Sequence, residues 1–314
     1  MESGNAVPVT GRAEAEERVA RLLRRATYAA VGTALALVVV KTTAWFLSGS
    51  IAVLSSLVDS VADVAASGIN LLAVRHALTP ADREHRFGHG KAEPLAGLGQ
   101  AAFIGGSALF LGLQAADRLM NPQPIAHAPV AIGVMLFSLA ATCGLILVQR
   151  HAARATRSIA VQADAVHYAS DFLSNGATIL ALVLATQLGW LWADPVLGVV
   201  VAGIILWSGI GIARTAFDQL MDHELPEADR AKVRAIALAH PKVQAIHDLK
   251  TRAAGTWRFI QFHLELDGGM TLNEAHAIAD QVEAAVMQAF PGAEVIIHQD
   301  PAGVAEPDRA PHAA

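Results

Sequence analysis

Residues Ile51–Val74 read IAVLSSLVDSVADVAASGINLLAV, an apolar run that carries two carboxylates, Asp59 and Asp63, in its middle. A membrane-spanning helix needs about 20 mainly apolar residues, and an ionised side chain at bilayer depth costs at least ~2.5–3.5 kcal/mol. The stretch therefore reads as a transmembrane helix whose acids require a partner. Working outward, five more runs have similar length and character: Ala26–Leu47, Leu95–Leu119, Pro129–Gln149, Ile159–Leu188 and Leu191–Ala213. They predict a six-helix transmembrane domain over residues 26–213.

Composition agrees. Of the 314 residues, 54% are hydrophobic and 16% charged, against ~25% charged in a soluble domain. The formal charge of −5 offers no basic surface for nucleic acid. The single cysteine, Cys143, excludes an internal disulfide and is expected as a small packing residue inside the bundle. Residues 1–25 are polar, with Arg12, Arg18, Arg21, Arg24 and Arg25, and read as a cytoplasmic arm; the apolar run that follows is too long for a signal peptide.

Orientation follows from the Lys/Arg bias at helix ends. One side holds the N-terminal arginines, then Arg75, Arg83, Arg86 and Lys91, then Arg150, Arg154 and Arg157, and finally Arg214. The other holds Ser48–Ser50, the Asn121–Ala128 loop and the Gly189–Trp190 turn, with Arg118 nearby. Both termini are expected in the cytoplasm. Trp45, Phe46, Trp190 and Trp192 fall at the outer helix ends, where an aromatic belt belongs. Lys41, late in the first helix, is expected to extend toward the outer headgroups as an anchor; a transport role is the alternative.

From residue 214 to 303 the pattern becomes that of a small domain. Pro226 opens a helix that runs to about His240. Val243–Thr251 and Trp257–Asp267 read as strands about a turn at Ala254-Gly255, Thr271–Phe290 as a helix, and Ala293–Gln299 as a third strand. The order α-β-β-α-β implies a compact, ferredoxin- or metallochaperone-like sheet with two helices on one face. Residues 304–314, rich in Pro and Ala, are expected to be disordered.

Ligand-type residues gather in three places. Asp59 and Asp63 on the second helix, and His167 and Asp171 on the fifth, are both spaced i, i+4, so each pair shares one helix face. Nothing cationic within these two helices compensates them. A divalent cation would: hard-to-borderline O and N ligands in a tetrahedral array suit Zn2+, the lack of sulfur argues against Cu(I), and Ca2+ or Mg2+ would want more oxygens. The competing reading is protonated acids, or acids at helix ends in water. Asp82, His85 and His89 lie within one short loop and read either as a surface metal site or as an ordinary polar loop. In the soluble domain, strand alternation puts His263 on the polar sheet face. His298 and Asp300 share one face of the last strand, His247 sits mid-strand and His276 is on the second helix; any one of these could be a solvated side chain.

Together, Gly49–Ala52, Leu57–Ser60, the Phe87–Glu93 loop, Ala163-Asp164 with His167 and Asp171, and Val295–Pro301 resemble the cation diffusion facilitator family, in its bacterial zinc/ferrous-iron efflux form. The resemblance covers about residues 20–303. It implies a homodimer in the inner membrane whose protomers each exchange cytoplasmic metal for a proton from outside. It implies a transport site of Asp59, Asp63, His167 and Asp171 and a loop site of Asp82, His85 and His89. It also implies a two-metal cytoplasmic site of His247, His263, His276, His298 and Asp300 with Asp300 bridging, and a charge pair of Lys91 with Asp222 at the dimer contact. Zn2+ is the expected metal, with Cd2+, Fe2+ and Mn2+ accepting the same ligands. Binding needs deprotonated ligands, so metal and protons displace one another. Two other classes compete with this reading. An intramembrane metalloprotease would carry HExxH, which is absent. A membrane metal sensor would signal through the soluble domain, and no kinase, nucleotide or DNA motif accompanies it.

Overall fold

The computed structural model describes residues 9–49, 51–120, 129–190 and 192–303; the expectations for the Asn121–Ala128 loop and the 304–314 tail lie outside them. The described residues divide into two compact units, Val19–Met221 and Asp222 onward, the latter grouped with the residues before Val19. The first unit is helical: α1 (Val9–Ser48, of which it holds the part from Val19), α2 (Ile51–Ala77), α3 (Ala92–Met120), α4 (Pro129–Thr156), α5 (Ile159–Leu188) and α6 (Ala193–Leu220). All six contain a stretch long and apolar enough to cross a membrane.

Several helices outrun the hydropathy windows. The helix of α1 starts at Val9, well before the expected Ala26, because the arm is built from strong helix formers. Its Val19 and Leu23, spaced i, i+4, pack against Val74, Ala152 and Val161. Likewise α4 reaches Thr156 and α6 reaches Leu220. Hydropathy registers only the bilayer portion, whereas the backbone stays helical while one face remains packed.

Helix contacts are made by small residues, as bilayer packing favours. A Cβ added at Gly198 of α6 would stand 2.9 Å from the Ala115 Cβ of α3, and one at Gly209 would stand 3.1 Å from Ile104 Cγ2. Buried polar groups tie the helices. Ser67 of α2 shares a 2.8 Å hydrogen bond with Tyr168 of α5, and Gln149 Nε2 of α4 donates to Asp164 Oδ2 at 2.6 Å. Ser158 caps α5 by accepting from the Val161 N–H, while its hydroxyl donates to buried Glu93 of α3. Arg118 and Asp194 pair at 2.5 Å where α3 and α6 approach the Trp190–Trp192 stack. The expectation for Cys143 is corrected: it is exposed on the bundle exterior, beside Ile146, Leu147 and Arg150 in a cleft, and packs in no core. The reason is angular. Thr142 and Leu145 take the inward face of α4 and leave residue 143 pointing out.

The second unit has the expected order: α7 (Glu227–Leu238), β1 (Ala245–Ala254), β2 (Trp257–Leu266), α8 (Leu272–Ala289) and β3 (Ala293–Pro301). The sheet order is β1-β2-β3, antiparallel then parallel. Ile260, Phe262, Leu264 and Leu266 point to one face, where α7 and α8 cover them with Val233, Ala237, Ile278, Val282 and Val286. Thr271 and Glu274 form a capping box that starts α8. The opposite face of β2, with Gln261, His263 and Glu265, is left open.

Candidate metal-binding sites

Within the bundle, α2 and α5 bring together three of the four expected residues. Ligand atoms of Asp63, His167 and Asp171 all lie within 4.8 Å of one another. His167 Nε2 is 3.1 Å from Asp63 Oδ1 and 3.6 Å from Asp171 Oδ2. Phe103 presents its ring edge-on, 5.3 Å from the imidazole. Asp171 Oδ2 is fully buried without a hydrogen-bond partner. A buried acceptor left in this way is costly, and a cation between Asp63, His167 and Asp171 would satisfy it. Asp59 stands a turn along α2 from Asp63, exposed and outside the group of three.

Lys41 does not extend toward the headgroups as expected. Its side chain folds inward and is 7% exposed. The Nζ donates to Ser60 Oγ at 2.7 Å and to the Ser56 carbonyl at 3.1 Å, both on α2. A signal for this was in the sequence: Ala30, Ala34, Leu37, Lys41 and Ala44 repeat at helical spacing, and all five are buried.

The α2–α3 loop gathers Asp82, His85 and His89, again with ligand atoms within 4.8 Å. Asp82 Oδ1 accepts from the backbone N–H of His85 at 2.6 Å and of Glu84 at 2.9 Å. The His85 N–H, helped by that of Glu84, holds the Asp82 carboxyl below the usual carboxylate range. Gly88, at φ +76°, makes the reversal that returns the chain to the loop's start. His76, which sequence reasoning missed, closes α2 with its ring 4.5 Å from that of buried His89.

On the open sheet face, strand register does what alternation alone could not specify. His247 pairs with His263, and His263 with His298, so the three histidines form one row across β1, β2 and β3. Their ring centroids are 5.1 Å and 4.7 Å apart. Asp300 lies beneath the row. Its Oδ2 is 2.8 Å from His263 Nδ1 and 3.4 Å from His247 Nε2, while Oδ1 is 3.2 Å from His298 Nε2. His247 is the third residue of β1 and not its middle. A bulge follows it, with Asp248 at φ 46°, and turns Asp248 Oδ2 to 3.7 Å from His263 Nε2. Glu265, also missed, faces His247 Nδ1 at 3.0 Å. His276 stands apart on α8, paired with Asp280 at 3.5 Å.

The expected Lys91–Asp222 partners make contacts within their own units. Lys91 Nζ donates to the Leu220 carbonyl at 3.3 Å, and Asp222 pairs with Arg252 at 3.2 Å.

Residues 27–221 match the family described as "Cation efflux transmembrane domain", and residues 225–302 that described as "Cation efflux protein, cytoplasmic domain". The curated cation-efflux pump FieF of Shewanella oneidensis is 48% identical over 282 residues, covering 90% of this chain and 95% of the relative. That of Klebsiella pneumoniae is 47% identical over 284 residues, covering 90% and 94%. Among solved structures, the metal-bound C-terminal domain of the CzcD transporter from Thermotoga maritima is 28% identical over 25% of this chain and 93% of that one, with a TM-score of 0.25.

Proposed function

We propose, from the premise that the chain belongs to the cation efflux family of membrane transporters, that it is a metal/proton antiporter. In this reading it exports Zn2+, and with it Cd2+ or Fe2+, from the cytoplasm across the inner membrane by alternating access. Metal cation efflux and a multi-pass fold follow from the family itself; the metal, the coupling and the orientation are the proposal. The observation that carries it is the meeting of Asp63, His167 and Asp171 between two helices that each have bilayer length.

The chemistry runs as follows. The two carboxylates and the imidazole bind a divalent ion only when deprotonated, so metal entry from the cytoplasm releases protons and protons from outside release metal. Asp59, one turn away on α2, joins as fourth ligand by a side-chain rotation and closes a tetrahedral set. A site closed by four protein ligands leaves no position for a reactive water, which separates it from a metallohydrolase.

The loop and sheet clusters bind metal without lying on the path. Asp82, His85 and His89 form the loop site. His247, His263, His298 and Asp300 form the cytoplasmic site, with His276 reaching it only if α8's surface is engaged, and the protomers pair through Lys91 and Asp222. Both termini are cytoplasmic, with the transmembrane domain at 26–213 and the metal-binding domain at 214–303. In proteoliposomes with an imposed pH gradient, Asp63→Ala abolishes zinc-dependent proton flux. Undiminished exchange overturns the site. Absence of zinc flux in the unmodified protein would leave a membrane metal sensor as the better reading.

A further inference from the structure

We infer that Lys41 is a positioning residue of the intramembrane metal site, a fixed cation that neutralises the loaded site and weakens its hold on the ion. The inference rests on the transport-site reading above. Three observations support it.

Burial comes first. An amine in a bilayer helix ordinarily extends to the headgroups, yet Lys41 is held inside by Ser60 Oγ and the Ser56 carbonyl. Neither oxygen belongs to a candidate ligand. The lysine is thus moored on α2 without touching a ligand, at a residue that lies between Asp59 and Asp63 in sequence.

Surroundings come second. The acids within electrostatic range of the Lys41 amine are Asp63, Asp59 and Asp171, those of the proposed transport site. A cavity of about 80 Å³ is lined by Lys41, Ser56, Ser138 and Asn175 together with the apolar Val53, Val134 and Met135, and the buried Ser138 hydroxyl has no hydrogen-bond partner. Asn175 is one helical turn past Asp171 on α5. This chamber, polar on one wall and apolar on the other, is large enough for water.

The third is charge arithmetic. Asp59, Asp63 and Asp171 ionised, with neutral His167, carry three negative charges. A divalent ion leaves one of them uncompensated, and Lys41 removes it. Net charge is what a bilayer interior opposes, so the loaded site with Lys41 is the form that can be turned between the two sides. The same ammonium repels the metal. An exporter needs that, because an ion bound by four ligands with no opposing charge would leave slowly.

A lysine that merely fastens α1 to α2 predicts the opposite sign on removal: a looser α2 and weaker binding. The test uses the full-length protein in nanodiscs, in an Asp82→Ala, Asp300→Ala background that weakens the other clusters, with Zn2+ affinity measured by chelator competition. Lys41→Met and Lys41→Gln are expected to tighten Zn2+ binding by roughly tenfold and to lower both KM and kcat for vesicle uptake. Lys41→Arg, which keeps the charge, stays within about twofold of the parent. Gln retains a donor for Ser60 and carries the test if the Met variant is lost from the membrane. Unchanged or weaker Zn2+ binding in the neutral variants overturns the inference. Asp63→Ala is the control for its premise: if binding survives that change, the transport-site reading itself is wrong, whereas loss of binding there without tightening at Lys41 refutes only the role of the lysine.

Discussion

Replacing Asp300 with Asn removes one charge and one acceptor from the centre of the sheet cluster while keeping the side chain's shape. The two Asp300 oxygens divide their neighbours: Oδ2 faces His263 and His247, Oδ1 faces His298. In the proposed two-metal site a carboxylate so disposed would offer one oxygen to each of two ions; an amide has a single oxygen to offer. Structural zinc sites are worth ~10–16 kcal/mol over four ligands, or about 3 kcal/mol for each. Losing one therefore weakens binding about 100-fold, and a bridge weakens both ions at once. Against this, the folded domain loses one charge-assisted hydrogen bond to His263, worth ~1.5–3 kcal/mol, part of which the amide recovers. The metal effect dominates. The assay is zinc competition against a chromophoric chelator on the full-length Asp63→Ala protein, counting ions per protomer. Asp300→Asn should lose two of them at low zinc. Loss of a single ion would remove the bridging role, and an unchanged count and affinity would refute the cluster.

Gly198→Ala puts a methyl 2.9 Å from the Ala115 Cβ, inside the ordinary ~3.5–4.0 Å contact distance, and should destabilise the α3–α6 contact by ~1–3 kcal/mol. Thermal unfolding followed by tryptophan fluorescence should show the loss, and adding Ala115→Gly should recover most of it; no recovery would place the strain elsewhere. Asp82, whose carboxyl is held low by the His85 and Glu84 N–H groups, should keep the loop ordered as pH falls past ~3.9, its unfolded value. Its contribution is full above that value and lost only as pH drops through the lower folded one, so a carboxyl NMR midpoint at or above ~3.9 would contradict the hydrogen-bond geometry.

The intramembrane residues were legible because a charge inside an apolar run is an anomaly that demands a cause. Asp63, His167 and Asp171 announce themselves in that way, and i, i+4 spacing on two helices says which face of each is involved. Lys41 broke the same rule but lay near enough to the helix end for snorkelling to explain it, and only the burial of its helical row decides otherwise. In the soluble domain, alternation shows that His263 and His298 point away from the core. That they align with His247 depends on strand register, which is set by pairing partners distant in sequence. The bulge after His247 left no mark in the apolar pattern, so Asp248 and Glu265 went unrecognised beside it. The extension of α1 ahead of Ala26 has a different reason: a hydropathy window detects lipid, and the stretch from Val19 is a helix that packs one side through Val19 and Leu23.

The contrast between the clusters bears on their roles. The sheet row is held by backbone hydrogen bonds between adjacent strands, with ring spacings of 5.1 Å and 4.7 Å fixed by register. Such a frame cannot change its ligand geometry without breaking the ladder, and a frame that cannot change suits ions meant to stay. The intramembrane candidates come instead from two helices that meet through side chains, one of them carrying a buried carboxylate oxygen, that of Asp171, without a hydrogen-bond partner. A small sliding of α2 against α5 alters the distances from Asp63 to His167 and Asp171 while leaving both helices intact. In the proposed transport reading, the Asp171 oxygen that lacks a hydrogen-bond donor would give the empty site a cost, and the Lys41 ammonium would limit how deeply the filled site is stabilised. Two opposing terms of this kind keep the empty and loaded forms close in free energy, which is the condition for an ion to be taken up on one side and let go on the other.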